Sequence, residues 1–264
     1  MENPPLSAKI LTQALRTQHL GRRVEVLHEV VSTQREFAAR GWLSEPEGRV
    51  VLAESQTGGC GRMGRRFYAP AGNGIYMSIL LKPRLPPEHM VFTTVCAAVA
   101  VCRALRENTG LETGVKWVND IWHNEKKLCG ILAEAAITKD RVEHVILGIG
   151  VNTGNVPPEV ANLATSVSAE TGRPVDRNKL AATILNAFEP LYTRLDDPAA
   201  RRSILADYAS RQILLNRRVY VDTFHSRYEA LVLGVEDNGG LKIRKDDGTH
   251  ATLTAGEVTL KPVC

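Results

Sequence analysis

Apolar positions along this chain follow two periods, and the switch between them marks a change of architecture. Near the start, Ile10, Leu11, Ala14 and Leu15 recur at helical spacing over 6–18, with Ser7 placed to cap and Gly21 to stop. Residues 23–29 alternate as a strand does, and Ser32 and Thr33 then stand where hydroxyls cap the helix predicted over 34–40. A strand is predicted over 49–54, and another over 74–81, apolar enough to be central and closed by Pro83, Pro86 and Pro87. Residues 88–108 repeat apolar side chains at 92, 95, 99, 102 and 105, which predicts a slim helix packed on a sheet, with Gly110 as its C-cap.

Further on, VKWVNDIWHNEKKLCGILAEA over 115–135 reads as a strand, a polar hairpin around 123–126 and an apolar return strand. RVEHVILGIGV over 141–151 is another buried strand, ending at Asn152; its Gly148 and Gly150 leave one face without side chains, a slot for something flat. Helices are expected over 176–195, capped by Asp176, and briefly over 204–208. From Arg217 the period drops to two. RVYV, ALVLGV, GLKIR, ATLT and EVTL are short strands with turn signals at 237–240 and 246–248. They predict a small β-barrel-like module, and the domains are expected to be 1–212 and 213–264.

Composition narrows the class. With 264 residues and 44% hydrophobic content, the chain can bury one sizeable core and a small second unit. The net charge of +4 is spread out, with no basic run, so charge predicts no nucleic-acid partner. The start, MENPPLSAKI, lacks an apolar signal core, and no stretch is expected to approach the ~20 apolar residues of a membrane span. Cys60, Cys96, Cys102, Cys129 and Cys264 form an odd set without C-x-x-C spacing, which argues against a disulfide framework or a zinc site and fits a reducing cytoplasm. Seven scattered histidines support neither a metal site nor a histidine triad.

The chemistry concentrates in AESQTGGCGRMGRR, residues 53–66. Gly58, Gly59, Gly61 and Gly64 allow close backbone approach, so that N–H groups could converge on phosphate oxygens, while Arg62, Arg65 and Arg66 add forked donors. Gly59, Gly61 and Gly64 formally satisfy the dinucleotide fingerprint, but that turn must open into a helix, and Pro70, Gly72 and Gly74 forbid one. Without a Gly-Lys-Ser/Thr, the Walker loop fails too. Lys127, entering an apolar strand, either snorkels at an edge or points into a pocket, and Gly130 marks a close approach.

Taken together, Ser32-Thr33, QTGGCGRMGRRF, KWVND, KKLCGIL, GIGVN and the late GEVTL resemble, in order and spacing and over nearly the whole chain, the biotin protein ligases. The resemblance implies an α+β fold: a class II aminoacyl-tRNA synthetase-like mixed sheet with helices, followed by an SH3-like C-terminal barrel. It also implies a reaction in which biotin and ATP give biotinyl-5′-AMP and pyrophosphate, with magnesium accompanying the nucleotide. Acyl transfer to one lysine of a biotin carboxyl carrier protein follows.

By the same matching, Ser32, Thr33 and Gln34 fall at the ureido ring of biotin, with Gln56, Gly59, Cys60 and Gly61 in the loop that wraps it. Arg62 matches the clamp on the biotin carboxylate and adenylate phosphate, and Lys127 the cation bridging carboxylate and α-phosphate; these two carry the catalytic roles. Gly130, Gly148 and Gly150 would flank the bicycle. Arg65, Phe67, Lys116, Trp117, Asn119, Asp120 and Asn152 would serve the nucleotide, Asp120 in a magnesium or lysine-orienting role.

The chain departs from the family pattern at four places. Cys60 replaces a basic loop residue, Gln34 an Asn, Val118 a Pro, and Phe67 a Trp. The nearest rival reading is a lipoate ligase or octanoyltransferase, which lacks KWxND. A bifunctional repressor needs a winged helix before the ligase; only 31 residues precede Ser32, too few for one, so no DNA binding is expected. A pure binding module would require Arg62 and Lys127 to lie apart. Homodimer pairing through the sheet is common in the family, and the sequence leaves it open.

Overall fold

The computed structural model describes residues 4–139, 141–223 and 226–260; Cys264 lies outside them. The larger part of the chain is built on β1 (Arg23–Val30), β2 (Arg49–Gln56), β3 (Gly74–Leu81), β4 (Gly114–Lys116), β5 (Asp120–His123), β6 (Lys126–Thr138) and β7 (Arg141–Asn152). They form one mixed sheet in the order β1-β2-β3-β7-β6-β5-β4, in which only β1 and β2 run parallel. Central β3 is buried along all eight residues, as its unbroken apolar run predicts.

Helices cover both faces: α1 (Ala8–Ala14), α2 (Thr33–Ala39), α3 (Val91–Thr109), α4 (Val167–Thr171), α5 (Arg177–Tyr192) and α6 (Pro198–Ser210). On one face α2 closes a small cluster of Phe37, Val51 and Leu80. Everything else, including α3 packed between the sheet, α5 and α6, belongs to one large core. Alanines and threonines keep α3 slim, and Gly110 ends it in the left-handed region at φ 75. By length and composition alone, Pro87–Thr109 would suffice to cross a membrane, at mean hydropathy 1.4. That corrects the expectation that no stretch comes close; 72% of its most apolar 18 residues are buried inside the fold, where a core helix needs the same apolar character.

Three local readings change. Helix α1 ends at Ala14 rather than 18, because the next residues are captured by α5: Arg16 N–H donates to Asn186 Oδ1 at 2.7 Å, and His19 and Leu20 N–H to the Glu189 carboxylate at 2.8 and 2.7 Å. Helix α6 starts earlier than 204, at Pro198 with Asp197 as its cap. The KWVND run is not one strand but a hairpin, β4 turning into β5 across 117–119, with a cis Trp117–Val118 peptide.

The period-two region forms β8 (Arg218–Asp222), β9 (Arg227–Val235), β10 (Leu241–Lys245), β11 (His250–Leu253) and β12 (Glu257–Leu260). These make a second, antiparallel sheet in the order β11-β10-β9-β8-β12. Val219, Val221, Val232, Ile243 and Val258 point into its interior, which is continuous with the main core. The connecting segment is not a free linker: Val115 N–H donates to Arg211 O at 2.8 Å and Ile213 N–H to Val115 O at 3.0 Å, so 211–213 extends the edge of the large sheet.

Candidate active site

The bare patch on β6 and β7 is the floor of a cavity of about 190 Å³. Gly130 faces Gly150 across the two strands, and Gly148 and Gly150 face Ser78 and Tyr76 of β3. Each glycine permits a specific approach. A Cβ on Gly150 would come 2.7 Å from the Phe67 ring, one on Gly148 2.9 Å from the Gln34 amide, and one on Gly130 3.2 Å from Lys127 Nζ. The flat slot read from the sequence is therefore framed by Phe67, Gln34 and Lys127. Phe67 also meets Tyr76 edge to face at 6.3 Å.

One end of the cavity is polar and neutral. Thr33, at the start of α2, donates from its N–H to Gln56 Oε1 at 2.8 Å and from its hydroxyl to the same oxygen at 3.1 Å, and shares a 2.7 Å bond with the Ser78 hydroxyl. With the Gln56 oxygen committed, its NH2 group is the donor left to the cavity. Ser32 sits at the N-cap, yet its hydroxyl makes no capping bond, contrary to the expected cap; the side chain lines the cavity instead.

The other end is cationic. Lys127 Nζ lies 2.8 Å from Asp120 Oδ1, so this lysine points into the pocket rather than snorkelling. Lys116, cross-strand from Asp120, places its ammonium 4.7 Å over the Trp122 ring. Burial pushes its pKa below the ordinary lysine value; Asp120 and Glu257 oppose that shift, while Lys127 and Arg65 add to it. Burial holds Tyr76 well above the usual phenol range, so it stays neutral, its hydroxyl donating to Pro70 O at 2.9 Å.

The glycine segment leaves β2 as a small hairpin. Phe67 N–H bonds Gly59 O at 2.8 Å and Gly61 N–H bonds Arg65 O at 2.7 Å, around a turn where Met63 has φ 57. The N–H groups of Thr57 and Gly58 go to Val30 and Val31 carbonyls. These N–H groups of the segment are thus bonded inside the protein, and its three arginine side chains, Arg62, Arg65 and Arg66, line the cavity. Arg62 donates to Asn119 Oδ1 at 3.2 Å and to Gly256 O at 3.1 Å, and Arg65 is ion-paired with Glu257. The second sheet therefore forms a wall of the site, held also by Trp117 Nε1 donating to Gly239 O at 3.0 Å.

Of the residues singled out in the sequence, Ser32, Thr33, Gln34, Gln56, Cys60, Gly61, Arg62, Arg65, Phe67, Lys116, Trp117, Asn119, Asp120, Lys127, Gly130, Gly148 and Gly150 line this one cavity. Gly59 and Asn152 do not. Gly59 admits the Phe67 backbone, 2.7 Å from where its Cβ would be, and Asn152 donates to Thr165 O at 3.0 Å. Arg66, expected with Arg62 and Arg65 as a donor to anions, lines it too, and Met63, Tyr76, Ser78, Gly256 and Glu257 join the lining without having been expected there. Alternation along β3 could have shown Tyr76 and Ser78 to share a face, but nothing local announces Gly256 or Glu257. No group of three or more His, Cys, Asp or Glu among the described residues could hold a metal, and the carboxylates of Asp120 and Glu257 are each engaged by a cation.

Residues 27–152 match the model of the biotin/lipoate A/B protein ligase family. The chain is 34% identical over 255 residues to the bifunctional ligase/repressor BirA of Bacillus subtilis, spanning 95% of this chain and 78% of that protein. It is 32% identical over 262 residues to the biotin-acetyl-CoA-carboxylase ligase of Mycobacterium tuberculosis, spanning 97% and 96%. Among solved structures, the biotin protein ligase from Aquifex aeolicus in complex with biotin and ATP superposes with a TM-score of 0.78 at 26% identity, covering 92% of this chain and all of that one. With a bare strand floor, a neutral polar end and a cationic end in one cavity, and with this degree of likeness along almost its whole length, the chain belongs to the biotin protein ligases.

Proposed function

We propose that the chain activates biotin with ATP and passes the biotinyl group to one lysine of a biotin carboxyl carrier protein. The observation that carries this reading is the convergence of Arg62 and Lys127 on one cavity, opposite the Thr33–Gln56 pair and across a floor of glycines. A pure binding module would not need two cations lining one cavity beside a neutral, hydrogen-bonding end.

In the first step a carboxylate oxygen of biotin attacks the α-phosphorus of ATP, the bond to the β-phosphate oxygen breaks and pyrophosphate leaves. Two anions must meet. Lys127, held by Asp120, and Arg62 offset that repulsion and then hold the charge that develops on the phosphoryl oxygens. Lys116, Arg65, Trp117 and Asn119 serve the nucleotide in this reading, and Phe67 closes its apolar side; Asn152, outside the cavity, takes no part. In the second step the acceptor amine attacks the acyl carbon, the bond to AMP oxygen breaks and the amine proton is released. The mixed anhydride must be kept from water meanwhile, a task for the hairpin over 58–66. Magnesium fits as a companion of the nucleotide phosphates. Among the described residues no cluster of carboxylates builds a separate site for it.

We also read the two sheets as separate domains, 1–212 and 213–264, the first of class II aminoacyl-tRNA synthetase type and the second SH3-like; the antiparallel order of the second sheet supports this. A reducing cytoplasm and a partner other than DNA complete the reading; the reduced Cys60, Cys96, Cys102 and Cys129 support the first. Biotin-dependent exchange between ATP and pyrophosphate, run beside lipoate and octanoate, tests the function. Exchange with biotin alone is expected, and exchange with lipoate alone would hand the chain to the rival acyl ligases.

A further inference from the structure

Gln34 is the one amide in the cavity whose orientation is dictated from outside it. Its side chain leaves α2 and lies across Gly148, so close that a Cβ there would stand 2.9 Å from both its Cδ and its Oε1. The NH2 group is held chiefly from outside the cavity: Nε2 donates to Glu134 Oε2 at 2.9 Å, with the carbonyls of Leu132, which lines the cavity, and Ile146, which does not, further off at 3.4 Å each. All three partners are acceptors only. A carboxylate and two carbonyls cannot receive the amide oxygen, so the NH2 must lie on their side, and Oε1 is turned to the cavity that Gln34 lines.

We propose that Gln34 Oε1 is the acceptor that reads a ring N–H of the bound acid, and that Glu134 is the positioning residue that fixes it in that sense. The inference rests on the function proposed above and deepens it. At the same end, Gln56 has its oxygen bonded to Thr33 and offers only its NH2. One amide locked as donor and one locked as acceptor make a pair complementary to a cyclic urea, which carries a carbonyl flanked by N–H groups. A dithiolane or an alkyl chain satisfies neither. A site built to bond a polar group discriminates strongly against ligands that lack it, because its own buried groups are then left unpaired.

Glu134 lies on the exposed part of β6, so replacing it leaves the core intact. Glu134→Gln can still accept from Gln34, whereas Glu134→Lys removes the closest acceptor, leaves only the two carbonyls at 3.4 Å, and offers a donor that the amide oxygen can turn to meet. With biotin in ATP–pyrophosphate exchange, Glu134→Lys is expected to raise KM for biotin about tenfold or more with kcat within about twofold, and Glu134→Gln to stay close to the parent. A biotin methylated on a ureido nitrogen supplies the second readout. The parent should discriminate against at least one of the two N-methyl isomers, and in Gln34→Leu that discrimination should collapse while biotin itself binds more weakly. Unchanged KM in Glu134→Lys, or equal N-methyl penalties in the parent and Gln34→Leu, overturns the assignment. Absence of biotin-dependent exchange in the unaltered chain would instead overturn the function on which it rests.

Discussion

Lys127 Nζ and Asp120 Oδ1 stand 2.8 Å apart on neighbouring strands, β6 and β5, each held by the ladder between them. Asp120 therefore fixes where the lysine's charge sits without neutralising it for a ligand, since an ammonium has three donors and this contact uses one. Asp120→Asn is expected to lower kcat for adenylate formation by about tenfold to a hundredfold, the scale of a hydrogen bond to a charged group, with the fold unchanged by circular dichroism. A kcat equal to the parent's would remove Asp120 from the positioning role.

Arg62 ties the glycine hairpin to the turn at Asn119 and to the second sheet at Gly256. Arg62→Gly should free that hairpin and let biotinyl-AMP escape, so that bystander lysines become labelled in a proximity assay. The hairpin over 58–66 should also be cut more slowly by protease once biotin or the adenylate is bound. Equal labelling patterns, or equal cutting rates with and without ligand, would contradict its role as the closure.

Lys116 is held below its ordinary pKa chiefly by burial. It is cationic below that lowered value and neutral above it, so its help to a polyanion is present at neutral pH and lost as pH rises, sooner than for a free lysine. KM for ATP is expected to climb in alkaline buffer before the normal lysine range near 10.5 is reached, and to climb less in Lys116→Arg, whose guanidinium stays charged. For stability the sign is reversed. Between the lowered pKa and 10.5 the unfolded chain binds more protons, so this one group favours folding increasingly as pH rises through that window.

Arg177 is buried with its side chain only 1% exposed, paired to Glu54 at 2.8 Å and donating to Pro4 O at 2.9 Å and Gly74 O at 3.2 Å. It fastens the N-terminal segment to β2 and β3. Arg177→Leu leaves Glu54 without its cation and should cost about 3–5 kcal/mol in urea unfolding, of which Glu54→Leu in the same chain should recover much. A single-variant loss under about 1 kcal/mol would show the pair to be dispensable.

What could be read without coordinates was what local chemistry decides. Alternation placed β1 and every strand of the second sheet, because a half-buried strand must repeat every second residue, and unbroken apolar runs placed β3 and β7. The glycines at 130, 148 and 150 announced a surface without side chains. The late alternation around 257–260 gave β12 as a strand but no hint that its first residue reaches the hairpin, since Arg65 and Glu257 are separated by most of the chain.

The order of apolar and polar positions by itself determined most of the strands, the helices α2, α3 and α5, the change of period near 217, and a cationic glycine segment beside a bare strand face; these follow from periods of two and 3.6 and from the missing Cβ. Tertiary structure alone decided that Lys127 turns inward to Asp120, that the N–H groups of Thr57 and Gly58 are taken by β1's end, that the Gln34 amide bonds Glu134, and that the second sheet walls the cavity. The reason is physical. Which partner satisfies a hydrogen-bonding group depends on what other strands bring within about 3 Å of it, and that distance is set by the packing of the whole chain rather than by its neighbours in sequence.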